Sequence, residues 1–463
     1  MSRSKKIVIV GAGVAGRSLA SDLEVNGYEV VGFLDDNDST SKHKVNKLGE
    51  LKDVNQVIKA HQVTDVYFAI PSASSSVVRE FINSIESDNV KVSIIPRSFS
   101  IIADEKVYIE DLKDVDILHL LGREPVKQDL LLAKQEIQNK KVLITGAAGS
   151  IGSELVKQVL LLDPKQVICV DFWESGMFYL RQEIEDRANL RFFIANIRDR
   201  SRLEKIFEET NPDFVFHAAA YKHVPLMQEN SLEAYNNNVF GSLNLIETSI
   251  KFKVKSFVNV STDKAVNPVN VMGTTKRIVE LLLQKKSKEQ TQTKISSVRF
   301  GNVLESNGSA VQLFKKQIAN GGPLTLTHKD MTRFFMTKEE AAQLIIQSAI
   351  LSNNGEIFVL DMGDPVKIYD LAKMMIKVSR KNTEIKEIGL RPGEKMYEEL
   401  YYDKEDVIKT RHKQISIVNE KSNEELGKMT EAIEDLLEET IGYKLSNTEL
   451  IDRLRILGFN IKK

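Results

Sequence analysis

The sequence predicts an α/β chain of two tandem, doubly wound parallel-sheet domains, the second with a smaller C-terminal lobe. Three observations carry this expectation. An apolar strand runs into a glycine-rich turn and then a helix twice, at Ile7–Gly16 and again at Lys141–Gly152. A second strand follows each time and ends on an acid, Asp35-Asp36 or Asp171. Further short apolar runs alternate with helical patterns, as in parallel sheets covered on both faces.

The first strand is Ile7 to Val10, its turn is Gly11-Ala12-Gly13-Val14-Ala15-Gly16, and a helix pattern runs through Leu23. Val30 to Leu34 gives the second strand. Later strands are expected at Asp65 to Ile70, closed by Pro71, and at Val90 to Ile95, closed by Pro96. The first domain is read as residues 1–120, with a polar connector and lead-in helix over 121–139. The second domain, 140–463, replays the opening: strand Lys141 to Ile144, a turn through Gly152, a helix, then strand Gln166 to Val170. Gly11 and Gly146 lie 135 positions apart, too far for a solenoid repeat. Beyond about residue 300 the alternation weakens, and Gly321-Gly322-Pro323 and Arg391-Pro392-Gly393 read as loops over a ligand. Asn419 to Glu439 reads as a solvated helix face.

Composition sets limits on this picture. The 463 residues suit two or three domains, with 42% apolar and 28% charged residues. The 64 basic and 65 acidic side chains leave a net charge of -1, so no basic field for nucleic acid is expected. The single cysteine, Cys169, fits a reducing compartment and excludes a cysteine-based zinc cluster. No apolar run approaches the roughly 18 residues of a membrane span. Arg3, Lys5 and Lys6 before an apolar run resemble a short signal peptide, but the continuing strand–helix alternation favours a buried strand and an intracellular chain.

Glycines in such a turn let a backbone approach a pyrophosphate, which then sits on the helix N-terminus. That makes both domains Rossmann-like. In the first, Gly11, Gly13 and Gly16 meet the structural context, yet no catalytic group follows before residue 120, so a nucleotide site and an inherited scaffold both stay open. The second turn, Thr145 to Gly152, is Thr-Gly-x-x-Gly-x-x-Gly. Asp171 stands where an acid bonds the ribose hydroxyls of NAD and repels the phosphate of NADP, with Glu174 adding to the repulsion; a helix-capping acid is the plainer alternative.

Thr145–Gly152, Asn196-Ile197-Arg198-Asp199, His217-Ala218-Ala219-Ala220 and Asn238-Val239-Phe240-Gly241 resemble, in order, the extended short-chain dehydrogenase/reductases acting on nucleotide sugars. Ser261 to Pro268, Arg299-Phe300-Gly301-Asn302-Val303 and Arg391-Pro392-Gly393-Glu394-Lys395 narrow the resemblance to large bacterial UDP-N-acetylglucosamine 4,6-dehydratases of polysaccharide and protein-glycosylation pathways. It covers both domains. Such enzymes usually carry transmembrane helices before the first nucleotide fold, so a naturally soluble relative or a shortened chain is expected. The location is then cytoplasmic, or the cytoplasmic face of the inner membrane for a longer, membrane-associated form. A homo-oligomer is also expected.

The resemblance implies NAD as cofactor, held by Gly146, Gly149, Ser150, Ile151, Gly152, Asp171, Asn196, Ile197, Ala218, Ala219 and Lys276, and UDP-N-acetylglucosamine as substrate. It implies Asp263 as the acid for the departing C6 hydroxyl and Lys264 as the base for the C5 proton. A surface ion pair is the alternative reading of Asp-Lys. Lys264 as an ammonium would hold Asp263 ionised, so burial under a closed lobe is expected to drive both toward neutral forms. Met272-x-x-x-Lys276 departs from the superfamily's Tyr-x-x-x-Lys, because a thioether has no proton to exchange. Thr262, a water, or Asp263 acting twice then remain to take the C4 hydroxyl proton. For substrate contacts the expected residues are Lys222, His223, Asn302, Arg333, Arg391 and Glu394, with no metal, since His223 lacks neighbours at ligand spacing. A C4 epimerase and a non-catalytic sensor of NAD and sugar nucleotide are the rival readings.

Overall fold

The computed structural model describes residues 5–37, 46–87, 90–95, 113–114, 121, 130–184, 188–379, 381, 383–402, 406–419 and 424–462. It divides into two compact units.

Unit 1 holds strands β1 (Lys6–Val10), β2 (Glu29–Leu34), β3 (Lys47–Gly49), β4 (Asp65–Phe68), β5 (Lys91–Ile94) and β6 (Lys113–Asp114) in the order β3-β2-β1-β4-β5-β6. All pairings are parallel except β5 with β6. Ile7, Val8, Ile9 and Val10 are fully buried, as a strand covered on both faces requires. The turn after β1 takes Gly11 to φ +99°, and a Cβ on Gly16 would lie 1.9 Å from the Gly11 carbonyl oxygen. The carboxylate of Asp35 closes the turn by accepting the N–H groups of Ala12 (2.6 Å) and Asn37 (2.8 Å). Residues 313–329 and 366–387, which the sequence reading assigns to the C-terminal lobe, also belong to unit 1. Lys377, on helix Ile368–Ser379, donates to the Ile82 carbonyl there. The connector residues 122–129 lie outside the described residues.

Unit 2 holds β7 (Lys141–Thr145), β8 (Gln166–Asp171), β9 (Leu190–Ile194), β10 (Phe214–His217), β11 (Ser256–Val260) and β12 (Lys294–Arg299). The short strands β13 (Asn302–Val303), β14 (Leu324–Leu326), β15 (Thr332–Arg333) and β16 (Phe335–Met336) follow, β14 falling in unit 1. Then come β17 (Ile357–Leu360), β18 (Val366–Lys367), β19 (Ile385–Glu387), β20 (Asp406–Lys409) and β21 (Ile415–Asn419), with β18 and β19 in unit 1. The main sheet runs β9-β8-β7-β10-β11-β12-β17-β21-β20, parallel through β17 and antiparallel for the last two strands. This is the doubly wound order, with its switch point between β7 and β10, and ligands of such sheets bind at the carboxyl ends of those strands. The lead-in helix is present as Leu131–Ile137, with Ala133 and Ile137 fully buried. The charged C-terminal stretch is not only a solvated face. Helix Glu424–Ile441 buries Ile433, Leu436 and Leu437 beside Leu450 and Leu454. Its charges mask an apolar stripe at helical spacing. Among the described residues no helix is long and apolar enough to cross a membrane.

Candidate active site

At the end of β7 the backbone must turn sharply beneath helix Ser150–Leu160, and the glycines allow it. Gly146 sits at φ +65°, and a Cβ there would lie 2.6 Å from both the Ala218 carbonyl carbon and the Ala219 nitrogen. A Cβ on Gly152 would lie 1.9 Å from the Gly146 oxygen. Gly149 caps the helix, leaving the Ser150 and Ile151 amides in its first turn. Asp171 accepts from the N–H of Ala148 and of Trp173, both at 3.0 Å, repeating the Asp35 arrangement of unit 1. The cradle thus fits a dinucleotide: small backbone, free helix N-terminus and an acid at the second strand's end. Asn196 accepts from the Arg198 N–H, whereas the Ile197 side chain packs on Gly241.

Behind the cradle, His217 bridges Thr145 and Ser242 at 2.8 Å each. Burial first, then the Lys276 charge, pushes its pKa down to about 3, so the ring is neutral. Ser242 donates to the carbonyl of Asn238, inside the π-helical stretch Asn236–Phe240. Asn238 in turn donates to the Tyr221 carbonyl and to Thr275, both at 3.0 Å. Sequence reasoning used Asn238 only as a family mark; its position in a π-bulge is a feature frequent at functional sites.

The turn after β11 carries Thr262, Asp263 and Lys264. The Thr262 hydroxyl donates to Asp263 Oδ1 at 2.8 Å, and Lys264 Nζ donates to the same oxygen at 3.0 Å and to Asn302 Oδ1 at 3.2 Å. Asp263 is fully buried, and its Oδ2 has no hydrogen-bond partner among the described residues. The surface ion-pair reading therefore fails on burial. Burial is the largest single influence on Lys264 and lowers its pKa, but Asp263 and Glu398 outweigh it and hold the ammonium above its ordinary range. With Asp263 and Glu398 both facing Lys264, burial without a bound substrate does not bring this ammonium to the neutral amine. Gly273 places helix Val271–Glu289 against this turn, since a Cβ there would lie 2.2 Å from the Lys264 oxygen. Met272 is buried near that contact, and burial pushes Lys276 down to about 8 against the opposing pull of Glu280.

A buried platform missed by the sequence reading supports the turn. Glu280 accepts from Ser261 at 2.6 Å, from Arg299 Nε and Nη2 at 2.9 Å each, and from Arg277 at 3.1 Å. Burial pushes the Glu280 carboxyl upward, but Arg299 and Arg277 outweigh it and hold it below the usual range. Tyr402 lies over both guanidiniums and donates to the Ala265 carbonyl at 3.1 Å.

The expected substrate residues divide into two sets. Asn302 reaches Lys264 directly. Lys222 and His223 lie exposed after β10, the Lys222 ammonium held down by partial desolvation and by Lys264 and Lys338, and the His223 ring packed on Gly308. Arg333 is buried, and its terminal nitrogens donate to the carbonyls of Thr332, Met396 and Lys395. It holds the loop that bears Arg391 and Glu394, whose carboxylate accepts the Arg391 N–H. Among the described residues no group of three or more His, Cys, Asp or Glu is placed to hold a metal.

Fold and site together define a short-chain dehydrogenase/reductase-type catalytic unit. A family described as polysaccharide biosynthesis protein matches residues 142–420, and the chain belongs to that family. A CoA-binding domain family matches residues 1–96. The chain is 40% identical to the capsular polysaccharide biosynthesis protein CapD of Staphylococcus aureus over 410 residues, 86% of this chain and 68% of that one. It is 34% identical to a UDP-glucose 4-epimerase of Rickettsia rickettsii over 58% of this chain and 79% of that one. It is 36% identical to a UDP-N-acetylglucosamine 4,6-dehydratase (inverting) of Campylobacter jejuni over 56% of this chain and 76% of that one. The structure of Pen from Bacillus thuringiensis matches at TM-score 0.58 with 38% identity, covering 61% of this chain and 88% of that one.

Proposed function

We propose that the chain is an NAD-dependent UDP-N-acetylglucosamine 4,6-dehydratase that yields UDP-4-keto-6-deoxy-N-acetylhexosamine. The carrying observation is the Thr262–Asp263–Lys264 turn, in which a buried acid and a half-buried base stand side by side 3.0 Å apart. A C4 epimerase needs one proton acceptor at O4, ordinarily the phenol that Met272 replaces, and has no use for a second acid–base group. A non-catalytic sensor has no use for either. The likeness to a named 4,6-dehydratase supports the reading, while the likeness to a named epimerase keeps the rival in the test.

Gly146, Gly149 to Gly152, Asp171 and Lys276 would hold the dinucleotide, with Lys276 on the nicotinamide ribose. Bound NAD supplies a hydride acceptor at C4 and a hydride donor at C6. The chain's own groups handle the protons. Lys264 rests as an ammonium, held there by the carboxyl groups beside it. The Thr262 hydroxyl takes the O4 proton as it passes its own to Asp263 Oδ1, which makes Asp263 the acid that later protonates the departing C6 hydroxyl. One proton therefore travels from O4 to the water released at C6. The C4 ketone acidifies C5–H, and Lys264 as the amine removes that proton. The test is product identity: UDP-N-acetylglucosamine should lose one water, whereas a C4 epimer or unchanged sugar contradicts the proposal.

A further inference from the structure

Lys264 is an ammonium at rest, and none of the steps above supplies an acceptor for its proton. Glu398 lies beside it. Its side chain is 3% exposed, with Oε1 at 3.7 Å from Lys264 Nζ and 3.8 Å from Arg333 Nη2. Its Oε2 is buried without a hydrogen-bond partner among the described residues. A buried carboxylate with an unmatched oxygen costs more than an apolar residue of similar size, so packing alone does not account for it.

We infer that Glu398 accepts the ammonium proton of Lys264 and so frees the amine that removes the C5 proton, a positioning role that rests on the dehydratase reading. The order of events follows from the charges. Asp263 and Glu398 flank one ammonium; once Asp263 carries the O4 proton, Glu398 is the remaining anion beside it. Burial first, then Asp263, pushes the Glu398 carboxyl above its usual range, against Lys264, Arg333 and Lys395, which suits it to take a proton. The 3.7 Å separation must close by about 1 Å for the transfer. The Lys264 N–H bond then breaks and the Glu398 O–H bond forms. Lys264 next gains the C5 proton. Lys264 then gives a proton back to C5, and Glu398 returns its own to the amine so formed, which restores the ammonium and the carboxylate. Charged groups facing this pair are Asp263 from the same turn, Arg333 from β15, Lys395 and Glu394 from the loop bearing Glu398, and Lys222 on the Lys264 side.

The experiment is the pH profile of kcat for Glu398→Gln with UDP-N-acetylglucosamine. Without its internal acceptor, Lys264 must lose its proton to solvent. The variant should fall about 10²-fold at neutral pH and recover about tenfold per pH unit through the alkaline range, with KM little changed. The parent protein should be flat there. Glu398→Asp keeps a carboxylate and should keep the flat profile at lower kcat. A folded Glu398→Gln with a flat profile, or one altered only in KM, overturns the role and leaves Glu398 as an anchor for Arg333. If Glu398→Gln does not fold, a steep profile in Glu398→Asp overturns it. Parent protein that releases no dehydrated product overturns the dehydratase reading, and this role with it.

Discussion

Replacing Glu280 by Gln tests whether the buried platform holds the acid–base turn. Glu280 and Arg299 side chains are both 0% exposed, 2.9 Å apart. Gln keeps the shape and can still accept from Ser261, but Arg299 and Arg277 lose the Glu280 charge that faces them in a buried site. Breaking a buried pair in this way costs about 3–5 kcal/mol, with the retained amide bonds favouring the lower figure. With a slope near 3 kcal/mol/M in urea, the unfolding midpoint should fall by roughly 1 M, followed by circular dichroism at neutral pH. The Glu280 carboxyl is held low in the fold, so its contribution is present above the unfolded carboxylate range and fades as pH falls through its folded pKa. The gap between parent and variant should therefore narrow in acid. Replacing both partners, Glu280→Leu with Arg299→Met, should recover only part of the loss, because Arg277 and Ser261 then lose the carboxylate they donate to. A Glu280→Gln midpoint equal to the parent's would refute the platform argument.

Two further outcomes follow from the helix that begins at Val271. Lys276 is pushed down to about 8, so its ammonium is present below that pH and lost above it. NAD affinity measured by calorimetry should weaken above about pH 8, and Lys276→Met should bind weakly with no such limb; an unchanged limb in the variant removes Lys276 from the cofactor site. Met272→Leu keeps an apolar side chain of similar volume and should cost less than about tenfold in kcat. Thr262→Val deletes the hydroxyl that donates to Asp263 at 2.8 Å and should cost roughly 10²-fold or more, so the reverse ranking would refute the Thr262 relay.

Much of the fold was legible because its signals are local. A strand, a glycine turn, a helix and an acid recur twice, and backbone geometry requires each: Gly16 and Gly152 meet carbonyl oxygens that no side chain could clear. The Thr262–Lys264 turn was legible from its place after a strand. What stayed hidden depends on the third dimension. Sequence reasoning gave Glu280 and Glu398 no role and used Arg299 only as a mark of the resemblance; the packing of β12, helix Val271–Glu289 and the loop after Arg391 buries them. The same holds for residues 313–329 and 366–387, whose membership of unit 1 depends on contacts far apart in the chain. The second carboxyl group beside Lys264, that of Glu398, was hidden because it comes from a residue 134 positions away.

Turnover of UDP-N-acetylglucosamine in deuterium oxide with NAD present separates dehydration from epimerisation in one measurement. A 4,6-dehydratase gives a 4-keto-6-deoxy product carrying deuterium at C5, with hydrogen transferred internally from C4 to C6 and no accumulation of reduced cofactor matching product. A C4 epimer that retains its C6 hydroxyl and carries no deuterium at C5 would contradict the dehydratase reading.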